Sequence, residues 1–126
     1  MKAEVRRADP SKESLTHENC HILELANDAS DPDVSIARAR VLPGVTTEWH
    51  RVRDIDERYV IVRGTGTVEV GDLPPAIVNE GDVVRIPANT QQRITNVGDV
   101  DLVFLCVCSP RFVPEAYMPG PHDQQD

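Results

Sequence analysis

The sequence contains no long apolar run. Its longest, Leu102 to Cys108, is seven residues, whereas a helix that crosses a bilayer needs about 20. Residues 1–14, MKAEVRRADPSKES, lack the apolar stretch of a secretory signal, so no export signal is expected. Basic residues are few, 13 against 21 acidic ones, for a formal net charge of −8. A surface of that sign repels phosphate, so neither nucleic acid nor an anionic membrane is an expected partner. Cysteine is scarce and odd in number: three residues, with Cys106 and Cys108 only two apart. That is not a disulfide framework, and a reducing, cytoplasmic setting is the expectation. Sustained helical periodicity is also missing. Residues 13–25 are the one candidate helix, and Thr16, His17, Asn19 and Cys20 within it are poor helix formers.

What is present is a chain of 126 residues, 40% hydrophobic and 27% charged. That is one globular domain, large enough to bury its own core. Turn signals recur at short intervals, among them Asp31-Pro32, Pro43-Gly44, Gly71-Asp72, Pro74-Pro75, Gly81-Asp82 and Gly98-Asp99. Between them lie short segments rich in Val, Ile, Thr and Tyr: VSIARARVL, RYVIVRG, GTVEVG, AIVN, DVVRI, QRITNV and DLVFLCVC. Short strands with closely spaced turns predict an all-β sandwich or barrel. Residues 1–14 read as an N-terminal arm, 15–118 as the β domain, and 119–126 as a polar tail whose His122 is given no role.

Strand alternation sorts side chains by face. Read as one strand, Thr46 to Val52 puts Thr46, Glu48, His50 and Val52 on one side, and Thr47, Trp49 and Arg51 on the other. Glu57, Tyr59 and Ile61 share a face, as do Gln92, Ile94 and Asn96. Turned inward, His50, Glu57 and Gln92 would converge in a barrel able to hold one small ligand. Arg38 and Arg40 alternate with alanines. Their face is either solvated or, if inward, the natural anchor for a carboxylate substrate. Cys106 and Cys108 share a face as packed small hydrophobes, with Cys106 as a candidate pocket thiol. His17 and His21 flank Cys20 near the arm, and Arg111 follows the last strand, where it would close one barrel end. Leu102 to Cys108 is apolar on both faces, so its outer face needs a second cover, which predicts a homodimer.

These residues resemble the cupin superfamily, in particular its small single-domain bacterial members. The first cupin motif, G-x5-H-x-H-x3,4-E-x6-G, is matched by Gly44, His50, Glu57 and Gly64, with Val52 where the second His belongs. The second, G-x5-P-x-G-x2-H-x3-N, is matched by Gly81, Pro87 and Asn96, with Asn89 in place of Gly and Gln92 in place of His. The resemblance implies a double-stranded β-helix, a jelly-roll barrel. It also implies a site that in the family holds a divalent metal, Mn, Fe, Ni or Zn, with His50, Glu57 and Gln92 as the ligands left here and Glu48 as a replacement carboxylate. Three outcomes stay open. One is a metal-dependent dioxygenase, isomerase or lyase acting on a small polar molecule. Another is a metal-free, epimerase-like enzyme with His50 as base and Tyr59 as acid. The third is a small-ligand binding protein without catalysis.

Overall fold

The structure, a computed structural model, describes residues 1–120. Eleven strands follow one another: β1 (Ser14–Leu15), β2 (His21–Ala26), β3 (Ser35–Val41), β4 (His50–Val52), β5 (Asp56–Arg63), β6 (Gly66–Val70), β7 (Ala76–Val78), β8 (Val83–Ile86), β9 (Gln92–Asn96), β10 (Leu102–Ser109) and β11 (Tyr117–Pro119). They form two antiparallel sheets, ordered β1-β2-β3-β10-β5-β8 and β11-β4-β9-β6-β7. This is the double-stranded β-helix. The Val- and Ile-rich segments became strands because their branched side chains suit a pleated, half-buried surface. Gly64 ends β5 at a φ of +90°, and a Cβ there would meet the Asp101 carbonyl oxygen at 2.9 Å, so the turn admits only glycine.

Residues 13–25 hold β1, a turn and most of β2, in keeping with their poor helix formers. Two expectations need correction. Thr46 to Val52 is not one strand, since only His50–Val52 pairs as one and Thr46 makes an isolated bridge to Thr95. The break resets the alternation: Thr47 turns inward, its hydroxyl accepting the Ile94 N–H at 3.0 Å, and Glu48 turns out to solvent. At the C-terminal end Pro119, assigned to the tail, pairs with His50 in β11. His122 lies outside the described residues.

On β3 and β10 the inward side chains become small toward one end of the barrel. On β10 they run Leu102, Phe104, Cys106, Cys108, and their partners across on β3 run Val41, Ala39, Ala37, Ser35. On β5 the matching positions are Ile61, Tyr59 and Glu57. At the first end Val41, Ile61, Val68, Ile94, Leu102 and Phe104 fill the space between the sheets. Asn96 closes that end by donating to the carbonyls of Val41 and Val100 and accepting from the Gly98 N–H. At the second end the small residues leave a void.

Arg38 and Arg40 stand on the outward face of β3, opposite in direction to Ala37 and Ala39. Arg40 is held by Glu13 at 2.6 Å and Asp101 at 3.0 Å, which fastens the arm to the barrel. Arg111 donates to Asn27 at 2.8 Å and pins the end of β2.

Candidate functional site

The void is a cavity of about 500 Å³. The barrel strands line most of its wall, with His50, Val52, Glu57, Tyr59, Cys106 and Cys108 among their side chains, and the segments 12–20 and 112–117 complete it. Of the residues singled out in the sequence, His50, Glu57, Tyr59 and Cys106 are brought together. Gln92 lies directly across from His50 on β9 and is 1% exposed, behind the cavity wall. Glu48, Arg38 and Arg40 do not line the cavity: Glu48 was displaced by the break before β4, and the arginines face outward because the alanines face in. His17 joins the wall, whereas His21 lies 4.0 Å from Glu13 outside it.

His50 is held in one protonation pattern. Its Nδ1 lies 3.0 Å from the Glu48 backbone carbonyl. A carbonyl only accepts, so Nδ1 carries the proton and the lone pair of the neutral ring sits on Nε2. A Glu18 carboxylate oxygen lies 3.4 Å from the same Nδ1. The turn that delivers Glu18 is tightly built. Thr16 Oγ1 donates to the Cys20 carbonyl at 2.8 Å, Asn19 takes a φ of 65°, and the Glu48 N–H donates to the Glu18 carbonyl at 3.0 Å. Tyr117 stacks on the His50 ring at 5.0 Å and 19°, and His17 meets Tyr117 edge-on at 5.1 Å. Sequence reasoning missed Glu18 and Tyr117. Both lie outside the two motifs, and no local pattern marks them.

Glu57 is 8% exposed and its Oε1 has no hydrogen-bond partner among the described residues. Burial pushes its carboxyl above the usual carboxylate range, against the opposing pull of His50 and the Gln92 amide. A carboxyl so placed tends to stay protonated and can donate. Tyr59 is not the acid expected from the sequence. Its hydroxyl already donates to Gln92 Oε1, and burial followed by the nearby Glu57 pushes its ionisation far up. The Tyr117 hydroxyl, by contrast, is buried with no partner. Burial also raises Cys20, Cys106 and Cys108, so these thiols are neutral and weak as nucleophiles.

The donor set does not fit the divalent metal that the motif resemblance implies. Such an ion wants at least three converging donors. Among the described residues no three His, Cys, Asp or Glu side chains are grouped to hold one. Val52 donates nothing, His50 is a single imidazole whose Nδ1 is engaged, and the Gln92 oxygen is taken by Tyr59.

Comparison with known proteins agrees with this architecture. The family described as "Cupin domain" matches residues 37–108. An uncharacterized protein of Methanocaldococcus jannaschii, MJ1618, is 35% identical over 81 residues, a match that spans 64% of this chain and 64% of that protein. Among solved structures, KdgF from a Halomonas species superposes with a TM-score of 0.76 at 16% identity, covering 88% of this chain and 96% of that one. A predicted oxalate decarboxylase from Thermotoga maritima gives 0.72 at 22% identity, covering 85% and 99%. Pac13, a nucleoside dehydratase from Streptomyces, gives 0.74 at 13% identity, covering 93% and 92%. At these identities the solved structures share the fold alone.

Proposed function

Because the chain belongs to the cupin family, whose barrels take up small molecules, we propose that its cavity carries out metal-independent acid–base chemistry on a small organic molecule. The favoured reaction is elimination of water. The observation that carries this reading is the His50–Glu57 pair: an imidazole with its proton fixed on Nδ1 beside a buried carboxyl raised toward neutrality. His50 Nε2 takes a proton from carbon. The carbon–oxygen bond breaks, Glu57 gives its proton to the departing hydroxyl, water leaves, and the electron pair of the C–H bond becomes the new double bond. A base with a free lone pair beside a carboxyl kept protonated by burial is the arrangement such a reaction needs. Glu18 orients the base. That one structural neighbour is a nucleoside dehydratase supports the reaction class without naming the substrate.

Chelator-treated protein in D2O, offered a panel of β-hydroxy carbonyl compounds, tests this. The expected result is deuterium incorporation or water loss that persists without metal and disappears in His50→Gln and Glu57→Ala. Turnover that returns only on adding a divalent ion would establish metal chemistry instead. Binding with no exchange in any panel member would make the chain a binding protein.

The setting is proposed to be cytoplasmic, supported by three free cysteines. A homodimer is proposed as well, with a second copy covering the outward Val103, Leu105 and Val107 of β10, all half-buried in the single chain. Sedimentation at micromolar concentration decides it, and a monomeric mass rejects it.

A further inference from the structure

The walls of the cavity bear on the kind of molecule it takes, given the acid–base reading above. Its charged side chains are mostly of one sign. Glu18 and Glu24 line it beside the protonated Glu57, and among the described residues no arginine does. Lys12 is the one lysine in the lining, and it sits exposed in the Pro10–Lys12 turn at the rim. Two cations of the surrounding strands are spent elsewhere: Arg40 on Glu13 and Asp101, and Arg93 on Glu69 and over the Trp49 ring. A carboxylate or phosphate entering here meets carboxylates and finds no guanidinium fork to replace its water.

The polar groups left without partners add a second constraint. Glu57 Oε1 and the Tyr117 hydroxyl are both buried and unpaired, and both residues line the cavity. A protonated carboxyl and a phenol both have protons to give, so each matches an acceptor such as a hydroxyl or carbonyl oxygen. His50 Nε2 offers a lone pair and matches a donor. The rest of the wall, including Ala37, Ala39, Phe104 and Phe112, is apolar and suits a carbon skeleton.

We infer that the ligand is a neutral or cationic amphipathic molecule, with a hydroxyl or carbonyl head at His50, Glu57 and Tyr117, any ammonium group toward Glu18, and its carbon skeleton against Phe104 and the alanines. The same lining disfavours an anionic ligand.

Three probes of one shape and different charge test this: benzyl alcohol, benzylammonium and benzoate, titrated at pH 7 into isotope-labelled protein with cavity chemical shifts as the readout. The alcohol and the ammonium are expected to bind at least about tenfold more tightly than benzoate, the penalty of placing like charges close together in a poorly solvated site. Glu18→Gln is expected to shrink the advantage of the ammonium over the alcohol. Benzoate binding as well as the other two would overturn the inference, as would a titration in which no probe moves a cavity resonance. The D2O exchange assay separates the two ideas. Exchange that persists while benzoate binds well removes only the charge selectivity, and lost exchange with selectivity retained removes only the acid–base chemistry.

Discussion

The two ends of the barrel are built from the same strands and follow opposite rules. β10 gives Leu102 to one end and Cys106 and Cys108 to the other, while β3 gives Val41 to the first and Ala37 and Ser35 to the second; Phe104 and Ala39 stand at the boundary, buried in the core and lining the cavity. The first end is packed solid and its one buried amide, Asn96, has its hydrogen bonds made within the fold. The second keeps a cavity of about 500 Å³ and leaves Glu57 Oε1 and the Tyr117 hydroxyl unpaired. Packing therefore concentrates at the first end, and the chemistry we propose belongs to the second.

Truncation is the strongest way to break this contrast. Phe104→Ala is expected to cost about 3–5 kcal/mol in urea unfolding, since it removes a buried ring packed on Tyr59. Cys106→Ala, two residues on, removes one sulfur beside an existing void and should cost about 1 kcal/mol or less. Equal losses at the two positions would show that the cavity end carries as much of the packing as the closed end.

Addition reverses the test. A Cβ at Gly66 would lie 2.8 Å from Leu102 Cδ2 and 3.2 Å from Ile94 Cδ1. Gly66→Ala should therefore destabilise by about 1–3 kcal/mol through overpacking. Ala37→Leu adds three carbons at the cavity wall and should leave the unfolding midpoint nearly unchanged while abolishing probe binding. A large stability loss in Ala37→Leu would mean that the cavity collapses in solution.

The same contrast explains how much was legible in the sequence. Strand positions and the antiparallel barrel followed from Val- and Ile-rich segments between turns, because alternation and turn chemistry are local. His50, Glu57 and Gln92 were placed on inward faces for the same reason. What was not legible depended on long-range geometry. Glu48 went outward because the chain broke its alternation at Thr47, which no spacing announces. Glu18 and Tyr117 reach His50 from segments remote in sequence, carried there by the β1-β2 turn and by β11. The sequence did not show that the Tyr59 hydroxyl donates to Gln92 Oε1, a side-chain pairing across two sheets.

Titration sharpens the comparison with a smaller effect. In the unfolded chain Glu57 gives up its proton near the ordinary value of 4.5, whereas in the fold burial raises that value. The folded state thus binds more protons across the interval, and stability from this group is full below about pH 4.5 and lost as pH rises through the raised native value. Glu57→Gln keeps the site neutral throughout. It should be more stable than the wild type at pH 7, with the difference closing below pH 4.5. Urea midpoints between pH 4 and 8 measure this, and a difference that stays constant with pH would mean that Glu57 is not held protonated.

The smallest effect is expected where the arm meets the barrel. Glu13 accepts from Arg40 at 2.6 Å, and the guanidinium holds its carboxyl below the usual range. Two features limit what the pair contributes. Arg40 remains 30% exposed, so water screens it, and Asp101 at 3.0 Å still engages the guanidinium when Glu13 is gone. Glu13→Ala should therefore cost no more than about 1 kcal/mol, as partly exposed ion pairs do. Its consequence for the cavity is the more informative measurement. Lys12 and Ser14, on either side of Glu13, line the cavity rim. If the arm is only a cover, benzyl alcohol binding in Glu13→Ala stays within about threefold of wild type, in keeping with a change of under 1 kcal/mol. A tenfold loss of binding at unchanged stability would instead make the arm part of the site, held in place by a single carboxylate.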